Sequence, residues 1–237
     1  MVIFWRLLLS HLLADFTLQF DIVNRMKRDG AWGMLIHCLT HLVVSAALTW
    51  NYLPETWFSV GPLAVNGWEA LVIMLLVHFG VDELRIYSMK ALHYKDNTAS
   101  FVADQVLHFY VLFLISPVVF PGPDLLLGEK WTAIACMFVL VTHFTSVLIY
   151  FVEKDMFGKA FPHFDEQYFL IFERVVLWAF FVAAGYWWLP FALAWVIQLF
   201  YVKRKRIIDM SGVNLWLSLI ITAMLGVWTR YAYYGYL

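Results

Sequence analysis

Residues 31–50, AWGMLIHCLTHLVVSAALTW, run for twenty positions without an Asp, Glu, Lys or Arg. That is the length of helix needed to cross the roughly 30 Å hydrocarbon core of a bilayer. Two histidines, His37 and His41, interrupt the run four residues apart and so share one face of the expected helix. The rest of the chain has the same character. Of its 237 residues, 63% are hydrophobic and only 14% charged, with a mean hydropathy of +0.74. Soluble domains run at about 45–50% apolar and about 25% charged. The chain therefore reads as an all-α integral membrane protein. Its apolar stretches are continuous and lack the roughly ten-residue alternating segments of a transmembrane barrel.

Eight spans fit, at about residues 2–20, 32–53, 66–90, 99–120, 131–152, 168–185, 189–203 and 212–230. Turn chemistry separates several of them: Asp29-Gly30, Gly61-Pro62, Asn66-Gly67, Pro121-Gly122-Pro123 and Ser211-Gly212. Residues 168–203 are too long for one comfortable span, so a tight outer turn is expected near Gly185 and Pro190. One bent helix there, giving seven spans, is the alternative. Twelve of the 16 basic residues fall in the odd-numbered loops: Arg25, Lys27 and Arg28; Arg85, Lys90 and Lys95; Lys154 and Lys159; and Lys203, Arg204, Lys205 and Arg206. The even loops hold only Lys130. The positive-inside rule then puts the odd loops in the cytoplasm and both termini outside. Trp228, Tyr231, Tyr233, Tyr234 and Tyr236 read as an outer interfacial belt. The basic clusters suit anionic membrane lipids as partners, although topology alone accounts for them.

The bulk numbers exclude other classes. A net charge of −1 gives no general attraction to nucleic acid. Cys38 and Cys136 both lie in apolar runs, which argues against a disulfide framework. The first apolar run carries Arg6, His11 and Asp15 and has no small-residue cleavage site, unlike a secretory signal.

The informative residues are polar ones where polarity is expensive. His11 and Asp15, His37 and His41, His78 and Asp82, and Asp104 and His108 occupy spans 1 to 4, each pair four residues apart. Such spacing lets one helix present two donors to one ion. His11 to His78, Asp15 to Asp82, His37 to Asp104 and His41 to His108 are each 67 residues apart. The same offset aligns Arg28-Asp29-Gly30 with Lys95-Asp96-Asn97. Helices 1–2 and 3–4 thus read as an internal duplication forming a pseudo-two-fold four-helix core, its axis along the membrane normal. At 1.5 Å per residue, all eight side chains come to lie roughly 7–18 Å from the cytoplasmic boundary. Each buried charge costs about 2.5–3.5 kcal/mol at the bilayer centre on insertion scales. Three aspartates should therefore face one another or a shared cation. His–Asp hydrogen bonding between helices is the structural alternative. Five imidazoles with three carboxylates and no thiolate suit one or two divalent ions, zinc first, with iron or manganese also compatible. Some of the carboxylates can act as outer partners that orient a ligating histidine.

The stretch from His11 through Leu12, Leu13, Ala14, Asp15, Phe16, Thr17 and Leu18 to Gln19 opens a longer pattern. His37 and His41, His78 and Asp82, then Asp104, Gln105 and His108 complete it. The pattern resembles a bacterial and phage membrane family catalogued as domain of unknown function 3307, over about residues 5–115. The resemblance implies the bounds of the motif and a bacterial inner (cytoplasmic) membrane location, and brings no activity with it. Residues 1–120 then form the duplicated core and residues 121–237 an accessory set of helices.

Lesser candidates surround this core. His143, beside Thr142, Thr145 and Ser146, sits at the same expected depth as an extra ligand or a packed histidine. Arg174, next to Glu173, suits a phosphate headgroup or simple snorkelling to the interface. Gln19, Gln105 and Glu83 lie close enough to the motifs to support ligands; His93 and His163 read as loop residues. The leading expectation is a metal-dependent hydrolase of lipid or lipid-linked substrates. In it Asp15, Asp82 and Asp104 serve as ligands or general base, and the histidines as ligands. A metal-ion or proton transporter is the second expectation. A di-iron redox enzyme and a structural-metal assembly protein follow, whereas haem suits three aspartates poorly.

Overall fold

The computed structural model describes residues 1–19, 21–117, 129–162, 164–207 and 210–235, without the side chains of residues 21, 22, 24 and 29. The expected turn at Pro121-Gly122-Pro123, His163 and the belt residue Tyr236 fall outside them. The chain is mostly helical and divides into two compact units, Met1–Thr132 and Ala133–Leu237.

In the first unit, α1 (Val2–Leu12) runs into a π-helical turn, Leu13–Thr17. A short helix α2 (Asp21–Asp29) follows, then α3 (Ala31–Thr49), α4 (Gly67–Lys90) and α5 (Thr98–Ile115). α3 packs on α1 and α4, and α5 packs on α4 and α1, so the four long helices close into a ring. Their starts are encoded locally. Asn66 and Asn97 each build a reciprocal capping box, with Glu69 and Ser100 as the third helical residues. α2 folds back onto α3 because Gly33 has no side chain; a Cβ there would collide with the Met26 backbone. Arg6 closes the far end of the ring, bonding both carboxylate oxygens of Glu129 at 2.7 Å and donating to the Leu48 carbonyl.

The all-α expectation needs one correction. Between α3 and α4, β1 (Thr56–Val60) and β2 (Leu63–Asn66) pair as an antiparallel hairpin about Gly61, whose φ is +60°. Strands of five and four residues are too short to register as an apolar period beside twenty-residue helices. Trp57 anchors the hairpin by donating to the Tyr52 carbonyl at 3.0 Å.

The second unit contains α6 (Lys130–Val139, which begins just before the boundary), a second π turn (Leu140–Phe144), α7 (Thr145–Phe157), α8 (Phe164–Phe180), α9 (Trp188–Arg204) and α10 (Gly212–Tyr234). α8 and α9 are separate helices, divided by a turn in which Gly185 has φ +59°. Buried Arg230 closes that turn by donating to the carbonyls of Phe181, Ala183 and Gly185.

Among the described residues, four helical stretches are long and apolar enough to cross a membrane: Ala31–Tyr52, Thr98–Ile115, Lys130–Phe157 and Gly212–Tyr234. Helices also occupy the remaining four expected stretches, but they do not meet that measure of length and apolarity. The ring is polar within and apolar without. Leu39 and Val43 of α3 and Val106 and Leu114 of α5 are exposed, while His37, His41, Asp104 and His108 on the same two helices are buried. That reverses the usual partition of a soluble helix.

Candidate metal centre

All eight residues singled out in the sequence meet inside the ring of the first unit. The π turn carries Asp15 on α1, and its widened backbone closes through Leu18 N–H to the Leu13 carbonyl at 2.8 Å. His11 lies on the same face, with Nε2 3.4 Å from Asp15 Oδ2. From α3, His41 Nε2 and His37 Nε2 approach Asp15 Oδ1 at 3.0 and 3.2 Å. From α4, His78 Nε2 lies 3.2 Å from His37 Nε2 and 3.3 Å from Asp82 Oδ2. His37 Nε2 is also 3.4 Å from Asp82 Oδ2. From α5, the His108 ring centroid stands 4.3 Å from that of His78, and its Nδ1 is 3.8 Å from Asp104 Oδ2.

These separations are within hydrogen-bonding range and also match ligands around an ion. Donor atoms about 2.1 Å from a metal lie about 3.0 Å apart at right angles and about 3.4 Å apart at the tetrahedral angle. Two overlapping groups bring one ligand atom per residue within 4.8 Å of one another: Asp15, His37, His41 and His78, and His78, Asp82 and His108.

Hydrogen bonding within the cluster cannot satisfy them all. A neutral imidazole has a single N–H, yet His37 Nε2 faces two carboxylate oxygens and a second ring nitrogen. Neither ring nitrogen of His108 makes a hydrogen bond among the described residues, and neither does Asp104 Oδ1. Seven of the eight residues are at most 8% exposed, and the Asp15 side chain is 9% exposed. Buried polar atoms left in this state are costly, whereas a cation satisfies lone pairs and charge together.

The surroundings tie the carboxylates down. Gln105 donates to Asp15 Oδ2 at 3.2 Å and Asp104 Oδ2 at 3.1 Å, while its own oxygen lies 3.3 Å from His11 Nε2. Arg85 donates to Asp104 Oδ2 at 3.1 Å and to Asp96 Oδ1 at 2.9 Å. Lys27, from α2, places its ammonium 2.6 Å from Asp82 Oδ2. A small cavity opens beside the cluster, lined by His11, His41, His78 and His108 on one side and Met74, Val111 and Leu112 on the other.

Residues 3–124 match the family described as "Protein of unknown function (DUF3307)". The chain belongs to that family. No curated protein and no solved structure matches it. The DUF3307 match covers every residue of the cluster, together with Lys27, Arg85, Asp96 and Gln105, and ends before α6.

Of the lesser candidates within the DUF3307 segment, Gln105 joins the cluster, Glu83 and His93 are exposed, and Gln19 is half-buried. In the sequence Lys27 and Arg85 stand only as markers of topology. Arg85 had a signal, since positions 78, 82 and 85 of α4 fall on one helical face. Lys27 had none, because its approach depends on how α2 folds back at Gly33. In the second unit, the headgroup expectation for Arg174 is corrected. Its guanidinium is buried and donates to the carbonyls of Val141 and Thr142 at 2.9 and 3.1 Å, and to Ser146. Those carbonyls belong to the second π turn; Arg174 supplies the Val141 carbonyl with a donor and adds one to Thr142, which also accepts from Thr145 N–H and Ser146 Oγ. Glu173 is buried there too, its backbone carbonyl accepting from Trp195 at 3.2 Å. His143 is half-buried, with Nδ1 3.2 Å from Thr142 Oγ1.

Proposed function

We propose that the first unit is a duplicated helical hairpin carrying a two-ion divalent-metal centre in the membrane, and that the centre hydrolyses a lipid or lipid-linked substrate. One observation carries the metal reading. Asp15, His37 and His41 of the first ligand group become Asp82, Asp104 and His108 at the 67-residue offset, and Asp82 and His108 belong to the second group. α3 and α5 also begin 67 residues apart, as do their capping residues Gly30 and Asn97.

In this reading Asp15, His37 and His41 hold one ion, with His11 alongside, and His78, Asp82 and His108 hold the other. The imidazole and carboxylate donors suit zinc, iron or manganese. Bound ions would polarise an ester or phosphoryl group and bring the pKa of a coordinated water toward ~7. Asp104 is placed as general base. Arg85 and Gln105 fix one of its oxygens and leave Oδ1 without a hydrogen bond. Met74, Val111 and Leu112 line one side of the adjoining cavity, which is large enough for a water beside the histidines.

The membrane arrangement belongs to the same proposal. All eight long helical stretches cross the bacterial inner membrane, with both termini outside, the cluster toward the cytoplasmic leaflet and residues 121–237 as accessory spans. α4 supports it, since 24 residues extend about 36 Å; Asp82, Glu83 and Arg85 are what lower its hydropathy. So does the gathering of Arg25, Lys27, Arg28 and Lys90 at one end of the unit, where Lys90 donates to the Arg28 carbonyl.

Metal-loaded protein in nanodiscs, presented with a panel of phospholipids and lipid esters, should release a hydrolysis product. Asp104→Asn should abolish that release. Inertness across the panel would contradict hydrolysis. A second reading, ion transport, draws on the π turn at Asp15, which interrupts regular helical bonding at the ligand itself. Zinc or proton flux in proteoliposomes, lost in Asp82→Asn, would favour it over hydrolysis.

A further inference from the structure

The two ligand groups are unequal in charge. Among the described residues no Lys or Arg makes an ion pair with Asp15; its polar neighbours are three histidines and Gln105. On the other side both carboxylates are met by cations: Asp82 by Lys27 at 2.6 Å, and Asp104 by Arg85 at 3.1 Å. Arg85 is shared with Asp96 and is anchored on α4, beside the carboxylates it serves. Lys27 reaches in from α2, where its neighbours Arg25, Met26 and Arg28 are exposed.

The oxygen that Lys27 touches is the one the second ligand group needs. Asp82 Oδ2 lies 3.3 Å from His78 Nε2 and 3.4 Å from His37 Nε2, and the ammonium sits against that same atom. We infer that the Lys27 side chain is a tethered occupant of the second cation position, and that a divalent ion enters there only when Lys27 leaves. The inference rests on the metal reading above and makes its loading sequential.

Charge gives the reason. A dication beside Asp15 leaves that side with one net positive charge. On the other side, Asp82 and Asp104 are already neutralised by Lys27 and Arg85, so a dication added with Lys27 in place leaves two uncompensated charges in a buried site. With Lys27 withdrawn, the same ion leaves one. An ammonium supplies charge and donors but accepts nothing from a histidine lone pair. It therefore neutralises the carboxylate and offers nothing to the imidazoles around it. The exit is short, because α2 lies at the surface and is held by the contact of Gly33 with the Met26 backbone, by Lys90 on the Arg28 carbonyl and by an Arg28–Asp96 pair at 3.7 Å.

Equilibrium dialysis of the full-length protein in detergent against buffered free Zn²⁺ tests this directly. Wild type should take up one ion tightly and a second weakly. Lys27→Met should bind the second ion at least about tenfold more tightly and leave the first unchanged. Lys27→Arg, which keeps the charge, should behave as wild type. Gly33→Ala, which displaces α2 and alters no charge, should shift the second ion in the same direction as Lys27→Met and serves if that variant does not fold. A second ion bound equally by wild type, Lys27→Met and Gly33→Ala would overturn the inference and leave the metal centre standing. Lys27→Arg matching Lys27→Met would also overturn it. No zinc bound by any of these proteins would overturn the metal reading itself.

Discussion

Both units bury strongly polar side chains beside a π turn, and they treat them in opposite ways. In the second unit Arg174 meets the carbonyls of Val141 and Thr142, and Arg230 meets three carbonyls of the turn between α8 and α9. These cations complete the backbone around them. In the first unit more acceptors converge than there are protons to share: two Nε2 atoms meet at 3.2 Å, one of them also faces two carboxylates, and His108 makes no hydrogen bond among the described residues. Buried polarity that satisfies its own fold reads as structure. Buried polarity that its own fold leaves short of partners, and that a cation could complete, reads as a candidate site.

The comparison breaks most visibly at Arg174. Arg174→Met leaves the buried Val141 carbonyl without its donor and takes one donor of several from Thr142, and should cost about 3 kcal/mol of stability. The loss should appear as a lowered thermal midpoint in detergent, with the metal content of the first unit unchanged. A loss of metal in step with stability would mean that the two regions do not differ as described.

Asp15→Asn should do the reverse. Metal affinity should fall by more than the about 10–100-fold typical of losing an outer-shell partner. The metal-free protein should melt near the wild-type midpoint, because the buried charge goes together with its histidine contacts. Titration with Zn²⁺ and a melting curve after chelation check the two halves of this prediction.

Acidity should separate the units next. Ligating histidines must be neutral, so metal binding should weaken as the pH falls below neutral and recover on return. Equilibrium dialysis across that range checks the sign. The smallest effect belongs to a cap. Asn97→Ala removes the side-chain half of the box that starts α5 and should cost about 1 kcal/mol, with little change in metal affinity.

Much of this was legible in the sequence, and the reasons are local. Twenty uncharged residues at 31–50 announce a helix by length alone. His and Asp pairs at four-residue spacing announce a shared face, and the turn residues Asn66-Gly67 mark where α4 begins. The hairpin at Thr56–Asn66 was not legible, because its short strands sit between stronger helical signals. Lys27 was not legible as part of the cluster either. Its position depends on a glycine contact between two helices, and a basic residue near a membrane boundary has an ordinary topological explanation. Arg174 was visible as an unusual residue, but its partners are main-chain carbonyls of a π turn, which side-chain periodicity does not reveal.

The central claim is that the cluster in the first unit holds metal. The most direct test is elemental analysis by mass spectrometry of detergent-purified protein beside the His41→Ala/His108→Ala double variant, which removes one ligand from each group. Wild type should carry one or two ions of zinc, iron or manganese per chain, and the double variant should lose them while it remains folded. Wild-type protein without bound metal, even after incubation with these ions, would contradict it and leave the cluster a hydrogen-bonded core.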